Sequence, residues 1–458
     1  MERDAIDLSK INVFVLFKKY FIPTLLGMLS MSAVTAIDGI FVGQGVGSLG
    51  IAAVNISIPV LMLFTGVGLM IGAGCSVVAS IHLSRGKAKV ARINVTQALL
   101  FATVVAVVPS AVMLAFPTET VQLLGASGSL VPLARQYMQW FVPSWVFQIW
   151  ISIALFVIRL DGAPKLAMCC SLISAVINIV LDWVFIFPLG WGVMGAAFAT
   201  SISIVVGGLI AVVYLGFFAH ILRLCVLKFS VKSLRLMARN IGYQCKIGLS
   251  ALLAEGTLAT LMFMGNLTFM RYLGEEGVGA FGIACYYIPF VFMVGNAIAQ
   301  SAQPIISYNF GRGLYKRVRD TERIAVVTAL VCGAVVAAMF TCCPQWLVSL
   351  FIAGEGEAAR IAVEGFPYFS VAFVFFIINL AVIGYYQSVE RVRPSVCFAL
   401  ARGLVFLVPS FMGLPLLLGA KGIWLALALS EILTTCCIVA YVLYGRMKSR
   451  VSVPGALR

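Results

Sequence analysis

Charge is scarce in this chain. Of its 458 residues, 17 are acidic and 32 basic, so 11% of the sequence is charged against 62% hydrophobic. Mean hydropathy is +1.06. A soluble domain carries about a quarter charged residues, so that class is excluded. Histidine is scarcer still, with His82 and His220 alone. No HExxH, GxSxG or GxGD sequence occurs. The common signatures of zinc, serine and intramembrane hydrolases are therefore missing, and no enzyme is expected. The twelve cysteines include no CxxC and no Cys/His zinc spacing. Most lie in apolar runs, where they read as small buried hydrophobes. Alternating ten-residue segments are absent too, which argues against a membrane β-barrel.

What the chain does have is apolar sequence almost end to end. A helix crossing a bilayer needs about 20 such residues, and roughly twelve runs of that kind centre near residues 30, 65, 104, 147, 175, 205, 255, 290, 331, 374, 406 and 433. The fold class expected is an all-α polytopic membrane protein of twelve transmembrane helices. The formal net charge of +15 has a topological explanation. With both termini on one side, the loops on that side hold 27 of the 32 basic residues, among them Arg85, Lys87, Arg159, Lys165, Arg235 and Arg317. The opposite side holds four, and Arg402 alone falls within a span. This is the positive-inside pattern. It predicts cytoplasmic termini in a plasma (inner) membrane and needs no nucleic-acid partner. No cleaved signal peptide is expected at the N-terminus, which carries acidic as well as basic residues.

The sequence repeats itself at an offset of 227 residues. Gly68, Ile71, Ser80, Arg85 and Gly86 find identical residues at Gly295, Ile298, Ser307, Arg312 and Gly313. Pro117 pairs with Pro344, and Gly192, Gly195 and Ala199 pair with Gly419, Gly422 and Ala426. Two six-helix lobes are predicted, residues 1–222 and 240–458, joined by a basic cytoplasmic linker over 223–239. Six is even, so the lobes share one orientation and are related by a parallel pseudo-two-fold repeat.

Four acids stand inside apolar runs: Asp38, Asp182, Glu255 and Glu431. Each costs about 2.5–3.5 kcal/mol at the bilayer centre, so each needs a cavity or a partner. Ser171, Ser174, Asn178 and Asp182 recur at helical spacing along one face of the fifth span, and Ser32, Thr35 and Asp38 do the same on the first. Thr200 and Ser201 add hydroxyls from the sixth. Carboxylate, amide and hydroxyl oxygens suit a hard cation such as Na⁺, and paired carboxyls equally suit a proton. Asn178 has a structural reading as interhelical glue, and Glu431 has a candidate partner in Arg402. Across the repeat, Asp38, Asn178, Asp182 and Thr200 map to Gly265, Val405, Pro409 and Leu427. The polar set therefore belongs to the first half alone. Tyr286, Tyr287 and Met293 are secondary candidates for lining a cavity for flat hydrophobic cations. Pro23 removes a backbone hydrogen bond from the first span and can bend it, as a static kink or as a movable element.

The segments AIDGIFVG, IRLDGAPKLAM, NIVLDWVFIFPLGWGVMGAAFAT and GNAIAQSAQPIISYNFGRG resemble motifs of the multidrug and toxic compound extrusion (MATE) transporters, in order and over nearly the whole chain. The resemblance implies an antiporter that exports small organic molecules in exchange for H⁺ or Na⁺, with no other cofactor. It implies a cation-coupling site on Asp38, Asn178, Asp182 and Thr200, which are metal ligands only if the ion is Na⁺. Glu255 matches a glutamate used for substrate binding or coupling. An acid that some members carry on the tenth span has no counterpart here, where Glu364 stands at the start of that span. A lipid-linked-precursor flippase is the alternative, expected to carry more basic charge in its cavity. Contact with membrane lipid and a monomeric state are expected.

Overall fold

The computed structural model describes residues 8–126, 128, 130–227, 230–351 and 356–451. Arg3, Lys228 and Arg458 of the basic tally lie outside these residues. All regular elements among the described residues are helical. Eleven helices are long and apolar enough to cross a membrane. One of them, Val231–Gly311, is 81 residues long and contains a break at Gly274, whose φ of 64° and ψ of −157° are non-helical. A straight helix of that length would measure about 120 Å, several times a bilayer's hydrocarbon thickness. Divided at Gly274, it supplies two spans, and the twelve expected from the sequence are present. They are α1 (Val13–Val46), α2 (Ser48–Ser84), α3 (Ala88–Ala115), α4 (Leu130–Leu160), α5 (Pro164–Ile186), α6 (Gly192–Phe218), α7 (231–273), α8 (275–311), α9 (Tyr315–Cys342), α10 (Glu357–Ser388), α11 (Val392–Leu418) and α12 (Ala420–Gly445).

The repeat is visible in the turns. Gly47 ends α1 with φ 86° and Gly274 ends α7 with φ 64°, 227 residues later. Gly86 and Gly313, at φ 73° and 74°, close α2 and α8; Gly192 and Gly419, at 56° and 59°, open α6 and α12. Left-handed φ is strained for a residue with a Cβ and free for glycine, so these turns fix where each span stops. Gly162, between α4 and α5, has φ 88°. Its counterpart between α10 and α11 is Glu390 at φ 58°, the one non-glycine residue with positive φ among the described residues, whose Oε1 accepts a hydrogen bond from Tyr243 Oη at 3.0 Å.

By spatial contact the chain divides into two compact units: Met1–Glu255 with Ala297–Ala325 and Gly384–Val392, and Gly256–Asn296 with Val326–Ile383 and Arg393–Arg458. In the first unit α1 packs most extensively on α5, α5 on α6 and α2 on α4. Gly27 permits the α1–α5 approach: a Cβ there would lie 3.4 Å from Met168 Cα. α2 crosses α7 closer still, with Gly74 against the Gln244 carbonyl and Gly248 against the Met70 carbonyl. Arg317 ties the N-terminal segment down by donating to Leu8 O at 3.1 Å and Ile11 O at 2.6 Å. The second unit is built on aromatic rings; Phe269 lies 4.7 Å from both Phe281 and Trp424, centroid to centroid.

One placement departs from the sequence reading. Arg159, tallied there as a loop charge, sits in the last turn of α4 and is 4% exposed. The helix runs on to Leu160 because the chain turns only at Asp161–Gly162.

Gly274→Ala should lower the apparent Tm in detergent, since a Cβ at that backbone conformation costs about 1–3 kcal/mol. Gly256→Ala is the control: its backbone is helical and a Cβ there meets nothing within 4 Å. Thermal unfolding of the two variants beside the parent checks the expectation.

Candidate functional site

The polar face of α5 is held in place by its neighbours. Ser174 Oγ donates to Ser203 O on α6 at 2.8 Å, and Asn178 Nδ2 donates to Thr200 Oγ1 at 3.3 Å. Thr200 in turn donates to Ala196 O at 2.9 Å. Gly207 makes room for this arrangement: a Cβ on it would lie 3.2 Å from Ser174 Cβ. Ser201 points elsewhere, donating to Trp140 O on α4 at 2.7 Å.

One turn beyond Asn178, Asp182 is completely buried. Its carboxyl faces that of Asp38 on α1 closely enough for direct interaction. Apart from the facing carboxyl, no group donates a hydrogen bond to either Asp182 oxygen or to Asp38 Oδ1, and the buried Ser32 hydroxyl has no partner. Buried polar atoms are nearly always satisfied. Three carboxyl oxygens in one place without a donor make this the candidate site. Two like charges facing each other away from water attract a positive charge, and a proton or a small hard cation meets that need. Among the described residues no group of three or more His, Cys, Asp or Glu is arranged to hold a metal ion. The site's oxygens come instead from two carboxyls, an amide and hydroxyls.

Tyr137 of α4 was not anticipated from the sequence. It is 3% exposed and lies within electrostatic reach of both Asp38 and Asp182. No spacing rule links residue 137 to residues 38 and 182. A tyrosine in an otherwise amphipathic run was the only available signal.

The remaining candidates lie apart from this group. Glu255 is buried on α7 where α2 passes at Gly66; a Cβ on Gly66 would lie 3.5 Å from Glu255 Cβ. Glu431 is spent on an ion pair. Arg402 Nε and Nη2 donate to its Oε1 at 3.0 and 2.8 Å, Asn379 Nδ2 donates to Oε2 at 2.7 Å, and the guanidinium stacks over Phe376 at 4.3 Å. Arg402 falls in a π-helical turn of α11 over Ala401–Val405. Tyr287 Oη donates to Leu347 O at 2.8 Å and Tyr286 stacks on Phe351; both belong to an aromatic cluster. Met293 is half-buried and Glu364 is exposed near the start of α10.

Twelve spans in two repeated halves, with an unpaired acid pair buried in the first, define a polytopic helical membrane protein of the duplicated-lobe kind. The MatE family model matches residues 23–184 and again 251–412. The chain belongs to the multidrug and toxic compound extrusion family. It is 25% identical over 456 residues to the multidrug export protein MepA of Staphylococcus saprophyticus, covering 98% of this chain and 97% of that one. It is 24% identical to the Staphylococcus haemolyticus MepA over 97% and 96% of the two chains. An outward-facing multidrug resistance MATE transporter of the MOP superfamily superposes with a TM-score of 0.88 at 22% identity, over 97% and 98% of the two chains. A MOP-superfamily transporter from Pyrococcus furiosus, described as having a binding pocket of reversed polarity, gives 0.86 at 21% identity over 98% and 99%.

Two stability effects follow from these contacts. Asp182→Asn should raise stability by about 1–3 kcal/mol in Na⁺-free buffer at alkaline pH, because it removes an uncompensated buried charge. Glu431→Gln should lower it by about 3–5 kcal/mol, because it leaves Arg402 unpaired. Opposite shifts in Tm for these two carboxyl-to-amide changes check both assignments.

Proposed function

We propose that this protein is a cation-coupled antiporter that exports amphipathic, often cationic, organic compounds across the plasma membrane by alternating access. One observation carries the reading: two facing carboxyls with three oxygens to which no other group donates, buried in a membrane bundle. A coupled carrier needs a site that is stable only when a cation is bound, so that the empty and loaded forms prefer different conformations. Asp38 and Asp182 supply the charge, and Asn178 and Thr200 add oxygens if the ion is Na⁺ rather than H⁺. Tyr137 positions itself against both acids. Glu255 is proposed to attract cationic substrate, or to take part in coupling, as an acid inside a membrane bundle commonly does. The repeat makes lobes of residues 1–222 and 240–458 the moving bodies, joined by the linker over 223–239. Both termini are proposed to be cytoplasmic, on the side of the basic loops. The flippase alternative has no comparable observation behind it.

Expression in drug-sensitive cells with ethidium or a fluoroquinolone as probe tests the reading. Efflux above the empty-vector level should vanish when the coupling gradient is collapsed, with the pH and Na⁺ gradients removed separately to identify the ion. Asp38→Asn and Asp182→Asn should each reduce export to background with protein still present in the membrane, and the double variant should be no worse than either. Wild-type efflux by either single variant, or efflux indifferent to both gradients, would remove the assignment.

A further inference from the structure

A second buried charge in the first unit has no counter-charge. Arg159, 4% exposed at the end of α4, donates through Nη1 to Gln300 Oε1 at 2.7 Å, and its Nε has no partner. Its other described contact is the face of Phe156, 5.9 Å away. Gln300 and Phe156 are both neutral. The carboxylate nearest in sequence, Asp161, is taken up elsewhere, accepting from Tyr214 Oη and the backbone N–H groups of His220, Ile221 and Leu222 at 2.7–3.0 Å. A buried arginine is normally matched by an acid, as Arg402 is by Glu431.

The surroundings suggest why this one is not. At this level α2 packs tightly on α4 and α7 through glycines, and side-chain hydrogen bonds tie α8 and α3 to them. Gly72 of α2 lies against Ile153 and Phe156 of α4, and Gly74 and Gly248 lock α2 onto α7. Gln303 of α8 donates to Ala73 O of α2 at 2.9 Å. Gln244 of α7 donates to Asn94 Oδ1 of α3 at 3.0 Å. The basic loops around Arg85, Lys165 and Arg312 follow within a few turns along these helices, which places the junction at the end assigned to the cytoplasm.

We propose that Arg159 is an electrostatic barrier in this junction: its unneutralised charge stops protons and Na⁺ from passing between the cation site and the cytoplasm while the junction is closed. The inference rests on the antiporter reading. Packing excludes organic substrates, but a proton or small ion needs only a transient water file. A second positive charge about 7 Å from Arg159, at an effective dielectric constant of about 20, is disfavoured roughly fiftyfold. A fixed arginine excludes protons and cations from other membrane pores by the same means.

The test uses purified full-length protein in liposomes, without substrate, under an inward-negative K⁺/valinomycin potential. Internal acidification is read with a trapped pH dye and ²²Na⁺ entry by filtration. Wild-type protein and Arg159→Lys should both be tight. Arg159→Gln should raise the substrate-free leak at least about tenfold, judged against the fiftyfold barrier. Gln300→Glu is the deciding variant, because it keeps the shape and supplies the missing acid. It should leak like Arg159→Gln even though a structural role predicts a firmer, tighter junction. A tight Gln300→Glu, or Arg159→Lys leaking as Arg159→Gln does, would overturn the barrier and leave Arg159 a packing residue. Gradient-driven ethidium uptake into the same liposomes is scored separately. Failure of that uptake in wild-type protein counts against the antiporter reading, and the leak comparison counts only for or against the barrier.

Discussion

Two carboxyl groups facing each other inside an apolar bundle set the terms for the rest of this structure. Asp38 and Asp182 come from helices far apart in sequence, and bringing them together requires α1 and α5 to approach closely. Gly27 permits that approach against Met168 and Ser171. The hydrogen bonds from α5 to α6, through Ser174 and Asn178, then fix the rotation of α5 so that Asp182 points at α1 rather than at lipid. Nothing in the described structure neutralises the pair. The packing around the pair has to offset that cost.

The duplication supplies the scaffold and then departs from it. Equivalent turns in the two halves share glycines with nearly the same left-handed φ, so the lengths and endpoints of the spans are a common inheritance. The chemistry is not shared. Where the first half carries Asn178 and Asp182, the second carries Val405 and Pro409, and its buried acid Glu431 is held by Arg402 and Asn379. A neutralised acid has no call for a cation, whereas an orphaned one does. The same contrast separates Arg402, matched and structural, from Arg159, unmatched and placed where α4 packs on α2 and meets α8.

Membrane class, span number, the repeat and the four intramembrane acids were all legible in the sequence, because hydrocarbon imposes its rule on every residue of a span: apolar side chains outside, backbone bonded within. Helical spacing also disclosed that Ser174, Asn178 and Asp182 share a face. Tertiary structure alone decided which faces meet. That Asp38 opposes Asp182, that Tyr137 lies near both, and that Glu431 is taken by Arg402 depend on how helices rotate and cross, and in a chain this apolar no pattern of hydrophobicity encodes those angles. Arg159 shows the limit most clearly. Sequence counts it as one more loop charge beside a glycine turn; only the last turn of α4, carried past it to Leu160 and packed against α2 and α8, turns it into a buried one.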